Sequence, residues 1–252
     1  MVATAVVGYI TSRQVPPAPA QSTAEPLDFH LVRSSITLVR NTTHDRRVFL
    51  AIIAISFFWT IGTVLFVQFP PLAKNVLYAS KEVASLFLVV FSIGVAIGSI
   101  SVNALLKGRV SARFSPGSVL VMGGFVMAFF LCCRLWPSQP PGTVMNIGQF
   151  LAQPLAVVLL LTLLGIAIAG GMFVVPLYAF LTTFVDKSQT ARTIAANNII
   201  NSFGMVIGSA LAGALTLAGV KIVEQLLLSA AMCLVSAYLG RMLVAAERAA
   251  QV

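Results

Sequence analysis

Residues 193–208 read TIAANNIINSFGMVIG and set Asn197, Asn198 and Asn201 inside an otherwise apolar run. A carboxamide both donates and accepts hydrogen bonds, and in apolar surroundings it is costly unless something answers it. On a helix Asn197 and Asn201 share a face, and Asn198 lies about 100° round from Asn197. A helix with amides on that much of its circumference is not wholly lipid-facing. Two accounts fit: hydrogen bonds between helices, or a polar wall along a water-filled substrate path. Trp59, Gln68 and Tyr178 are further candidates for the same path, although a Tyr or Trp near a helix end also serves as an interfacial anchor.

Small residues form a second group. Gly94 and Gly98 are spaced GxxxG, as are Gly204 and Gly208, with Ala212 continuing the second row. This spacing lets two helix backbones approach closely in lipid, so packing is the simplest role for it. Gly170, Gly171 and Pro176 fall within AGGMFVVPLYAFL and weaken or bend a helix, which suits either a gate or a static kink.

Catalytic chemistry is not expected. The seven carboxylates are Glu25, Asp28, Asp45, Glu82, Asp186, Glu224 and Glu247, all in loops, at span ends or in the tails. No span carries a carboxylate, lysine or histidine near its middle, where proton-driven carriers keep a relay. His30 and His44 have no nucleophile or metal constellation around them, and the residues five further on are Ser35 and Phe49, not the Asp of an His-x4-Asp acyltransferase pair. No phosphate-binding Gly-Lys-Ser/Thr loop occurs. Cys132, Cys133 and Cys233 lie in apolar runs as small buried residues. No metal, cofactor or nucleic-acid partner is expected.

Composition sets the solvent. Of 252 residues 58% are hydrophobic and only 9% charged, whereas a soluble domain carries roughly a quarter charged. The net charge of +9 comes from basic residues scattered singly between apolar runs, a pattern of membrane orientation rather than of phosphate binding. Residues 1–10 are too short to cross a bilayer and lack the features of a signal peptide. Residues 13–47 form a polar, Pro-containing linker with Arg13, Arg33, Arg40, Arg46 and Arg47.

Spans are expected at about 48–70, stopping at Pro70-Pro71, then 83–106, 116–136, 194–218 and 222–244, with an over-long run at about 150–183. Read as one helix with an interfacial start, that run places Arg13, Arg33, Arg40, Arg46, Arg47, Lys107, Arg109, Arg113, Lys187, Arg192, Arg241 and Arg248 on the linker side. The other side holds Lys74, Lys81, Arg134 and Lys221. The positive-inside rule then favours six spans over 48–245 with both ends cytoplasmic, and a tail at 246–252.

FWTIGTVLFVQFPPLAK, GGMFVVPLYAFL and ARTIAANNIINSFGMV resemble the lysophospholipid transporter family of the major facilitator superfamily. The resemblance covers nearly the whole chain and also extends to the transporter module fused to acyltransferase and acyl-carrier-protein synthetase domains. It implies an all-α membrane protein of the bacterial inner membrane, built as a six-helix half of such a transporter from two inverted three-helix repeats. It implies inward flipping of lysophospholipid without a nucleotide. Residues 1–10 then correspond to the tail of a sixth helix, and the partners would be an N-terminal six-helix half and an acyltransferase. The first, second, fourth and fifth spans would face the cavity, the third and sixth would be peripheral. One departure is visible. Where the superfamily has a Gly-x3-Asp-Arg-x-Gly-Arg loop, this chain has SVNALLKGRVSAR, with Asn103 in place of an acid and a longer spacing to Gly108. Other readings are a general solute or drug permease, and a membrane anchor that hands lipid to an attached acyltransferase.

Overall fold

The computed structural model describes residues 2–16, 30–140 and 142–249. Residues 17–29 of the linker, with Glu25 and Asp28, and the last three residues lie outside the described residues. The elements are α1 (Val2–Ser12), α2 (Leu31–Thr42), α3 (Arg46–Asn75), α4 (Lys81–Leu106), α5 (Ser115–Arg134), α6 (Ile147–Leu151), α7 (Ala156–Phe184), α8 (Lys187–Leu217) and α9 (Ile222–Ala249). Six of these, α3, α4, α5, α7, α8 and α9, are long and apolar enough to cross a membrane. At 1.5 Å per residue α3 is about 45 Å long and α5 about 30 Å. The connections between them are short except that between α5 and α7, which holds α6; successive spans run antiparallel, and the start of α3 lies at the same end of the bundle as the end of α9.

The over-long apolar run resolves into α6 and α7, one spanning helix with a separate short start. Asn146 closes the first turn of α6. Its Oδ1 accepts from the Gln149 amide at 2.9 Å, and the Gln149 side chain accepts from the Asn146 amide at 3.0 Å. Three boundaries differ from expectation. Pro70 and Pro71 do not stop α3, which continues to Asn75. Their missing amides cost hydrogen bonds, but the turn that follows buries Leu72 and Ala73 in the core, and that burial keeps it helical. Within the expected linker the chain forms α2, and Arg46 and Arg47 belong to the first turn of α3, where Asp45 accepts from the Arg47 amide at 2.7 Å. The spanning helices α8 and α9 also extend beyond their apolar cores, from Lys187 and to Ala249, so residues 246–249 are helix rather than tail.

Packing follows a regular scheme. Helix α4 lies against α7 as α8 lies against α3; α5 lies against α7 as α9 lies against α3; and α5 and α9 lie against each other. Exchanging the first three spans for the last three maps this pairing onto itself. The centre belongs to α3 and α7, whose apolar stretches are 78% and 61% buried, against 28% for α4 and 17% for α8. Glycines set how closely the pairs approach. A Cβ on Gly94 would sit 2.5 Å from Ala167 Cβ, one on Gly98 would coincide with the Ile168 carbonyl, and one on Gly171 would lie 2.7 Å from the Val95 carbonyl oxygen. On the other pair, a Cβ on Gly204 would lie 2.5 Å from Thr60 Oγ1, and one on Gly208 2.8 Å from Thr60 Cγ2.

Aromatic packing gathers the end of the bundle opposite α2. Trp136 stacks on Phe150 at 5.4 Å and Phe150 meets Phe87 at 6.1 Å. The two connections at this end are tied together by Met145 N–H to Tyr78 O at 2.7 Å and Ser80 N–H to Met145 O at 2.9 Å.

Candidate functional site: a polar junction of three spans

Helices α3, α7 and α8 meet around a chain of neutral hydrogen bonds. Ser56 Oγ on α3 donates to Asn201 Oδ1 on α8 at 2.6 Å, and Asn201 Nδ2 donates to the Tyr178 hydroxyl on α7 at 3.3 Å. That hydroxyl also accepts from Trp59 Nε1 at 2.8 Å. Ser56 and Asn201 are buried, whereas Trp59 and Tyr178 are half-buried. Tyr178 accepts twice, and its own proton has no acceptor among the described residues. The two inner members of the junction are thus buried, and the Tyr178 hydroxyl keeps an O–H donor that no described residue takes up.

Local sequence explains the convergence. Ser56 and Thr60 are one turn apart on α3, and the row Gly204, Gly208, Ala212 on α8 lets that face come close. Thr60 turns its hydroxyl back to the Ser56 carbonyl at 2.8 Å, so its methyl and oxygen fill the space the glycines leave. Phe58, beside Trp59, packs on Phe173 with ring centres 5.8 Å apart and lies 3.0 Å from where a Cβ on Gly170 would be. The α7 segment with Gly170, Gly171 and Pro176 is buried and continuous through Phe184. Its glycines thus serve contacts with α3 and α4.

The other asparagines differ from Asn201. Asn197 is fully buried, its Nδ2 reaching only the neighbouring Asn198 Oδ1 at 3.5 Å, and its own Oδ1 has no partner among the described residues. Asn198 is exposed on α8, about 16 Å along the helix from its start. Gln68, grouped with Trp59 and Tyr178 as a path candidate, does not join this junction. Gln68 lies about 13 Å further along α3 than Trp59, and its Nε2 donates to Gln225 Oε1 on α9 at 2.9 Å. Gln225 in turn donates to Thr216 Oγ1 at 2.9 Å and to the Val220 carbonyl at 3.2 Å. This second cluster is buried throughout its amides.

Sequence reasoning did not single out Ser56, Thr60, Gln225 or Thr216. The i, i+4 spacing of Ser56 and Thr60 was a usable signal; the pairing of Gln68 with Gln225, 157 residues apart, had none. Nearer the α2 end of the bundle, the Arg47 guanidinium lies 4.0 Å from the Phe184 ring centre, and Phe184 stacks on Phe180 at 4.8 Å. Arg47 also pairs with Asp45 at 3.2 Å. Partial burial pushes the Asp45 carboxyl up, but the hydrogen bonds and charge of Arg47 outweigh it and hold the group below its ordinary value.

The fold and site define an all-helical protein with six potential membrane spans and a neutral polar junction among three of them. No family model, curated protein or solved structure matches the chain.

Proposed function

We propose that this bundle forms one wall of an alternating-access passage for an amphipathic lipid, with lysophospholipid as the cargo. The observation that carries the reading is the hydrogen-bonded junction of buried Ser56 and Asn201 with half-buried Tyr178 and Trp59. It presents a neutral hydroxyl donor beside aromatic surface, a combination suited to a phosphate or ester oxygen attached to an acyl chain. No charged side chain participates in it, which fits a lipid better than an ion.

Three features support the transporter architecture. The pairing of spans is unchanged when the first three helices are exchanged for the last three, as expected of paired three-helix repeats. Exposed Asn198 and Ser202 on α8 would be costly against acyl chains and are suited to water or to a second helix bundle. The motifs around Trp59, Tyr178 and Asn201 resemble the lysophospholipid transporter family. In this proposal the α2 end faces the bacterial cytoplasm, since it carries most of the basic residues. A second six-helix half completes the passage, and an acyltransferase consumes the cargo.

The test is flipping of a labelled lysophospholipid by the protein, together with its second half, in vesicles. Tyr178→Phe is expected to lower the initial rate about tenfold, while unlabelled lysophospholipid competes and hydrophobic drugs do not. A rate unchanged by Tyr178→Phe and by Asn201→Leu would remove the junction from the passage. Competition by drugs alone would point to a solute permease instead.

A further inference from the structure

Helix α2 has a face that the bundle does not cover. It packs against α8 with Leu38 and Val39 half-buried, yet Val32 is 74% exposed and Ile36 63% exposed. Projected on a helical wheel, Val39, Val32 and Ile36 follow one another round the apolar arc, and exposed Arg40 and Arg33 lie next beyond Ile36. The helix is about 18 Å long, too short to span a bilayer. Only residues 43–45 separate it from α3, whose buried apolar stretch begins at Val48. The connection thus tethers α2 where α3 enters the membrane. An apolar edge bordered by arginines, held at a membrane entry point, matches a helix lying in a headgroup layer.

We propose that the Val32–Ile36 edge of α2 inserts into the lipid surface beside α8, with Arg33 and Arg40 binding anionic headgroups. Charge complementarity selects this occupant: both arginines lie at the border between the apolar edge and solvent, where phosphates of an anionic leaflet lie. The inference requires that the six spans are embedded in a membrane, and it is independent of what the bundle carries.

The experiment uses the full chain with Ile36→Cys bearing an environment-sensitive fluorophore. The three native cysteines are buried, and unlabelled-site background is read from the protein without the substitution. In nanodiscs of phosphatidylcholine mixed with phosphatidylglycerol, emission is expected at shorter wavelength than in phosphatidylcholine alone, and the shift is lost in molar salt. Replacing both arginines by glutamine is expected to weaken the preference for the anionic disc about 30-fold, roughly fivefold for each arginine. Replacing them by lysine retains it. Emission that is the same in both lipids, or a shift that survives Arg33→Gln/Arg40→Gln, overturns the proposal. If the glutamine variant is poorly folded, the salt arm and the lysine variant decide. Absence of the shift with lysophospholipid flipping intact overturns this proposal alone, whereas loss of flipping with the shift intact counts against the proposed function and leaves this proposal standing.

Discussion

Two clusters of neutral polar side chains sit on α3 about 13 Å apart, and they differ in how completely protein encloses them. Around Gln68 the two amides are sealed: Gln68 is 3% exposed, Gln225 2%, and only their third partner, Thr216 at the end of α8, is exposed. Around Ser56 the inner members are equally buried but the outer ones, Trp59 and Tyr178, are not. The first arrangement fastens three helices together through buried amides. The second uses the same fastening among its buried members and includes a half-buried Tyr178 whose O–H donor no described residue takes up. An amide in an apolar helix therefore has two uses in this molecule, and enclosure by the neighbouring helices separates them.

The largest expected effect comes from breaking the sealed cluster on one side. Gln225→Leu strips the buried Gln68 Nε2 of its partner, at a cost of about 1–3 kcal/mol, while exposed Thr216 keeps its bond to the Ala212 carbonyl. Thermal unfolding in detergent should show it, with the flipping rate per folded molecule unaltered. Removing both amides, as Gln68→Leu/Gln225→Leu, should recover most of that loss, because two apolar side chains leave little unanswered. A double variant as unstable as the single one would mean that Gln68 does more than fasten α3 to α9.

The matching pair at the junction should behave differently. Asn201→Leu leaves Ser56 Oγ without its acceptor and costs about 1–2 kcal/mol. Ser56→Ala/Asn201→Leu should regain stability as the glutamine pair does. Its flipping rate, unlike that of the glutamine pair, should stay about tenfold down. If flipping returns along with stability, the two clusters are alike and the junction is structural.

How much of this was readable beforehand depended on range. The six spans, and the division of the long run into α6 and α7, follow from hydropathy and charge, which act residue by residue along the chain. The boundaries at Pro70-Pro71 and at Lys187 were misjudged, because local propensity yields to burial of Leu72 and Ala73 and to helix continuation beyond the apolar zone. Helix α2 was hidden in a segment whose arginines and serines read as linker. Within the site, Asn201, Tyr178 and Trp59 were all in view, but nothing local indicated that they share one hydroxyl. Gln68 looked like their equal until α9 supplied its partner. Glycine spacing indicated close helix approach; which helix came close depended on the pairing of spans.

The smallest expected effect is also the sharpest on where the junction opens. Asn198 is exposed on α8 beside the buried Asn197. If that face borders water or a second bundle, Asn198→Leu changes stability by less than about 0.5 kcal/mol and slows flipping a few-fold, since a polar lining becomes apolar. If the face borders acyl chains, the same substitution removes an amide from lipid and raises stability by about 1–2 kcal/mol, with no change in rate. The bond to Asn197 Nδ2 is long at 3.5 Å, so its loss is too weak to mask either outcome. We expect the first result. Unfolding and flipping measured on the same preparation separate the two, because the alternatives move the two readouts in different combinations rather than by different amounts.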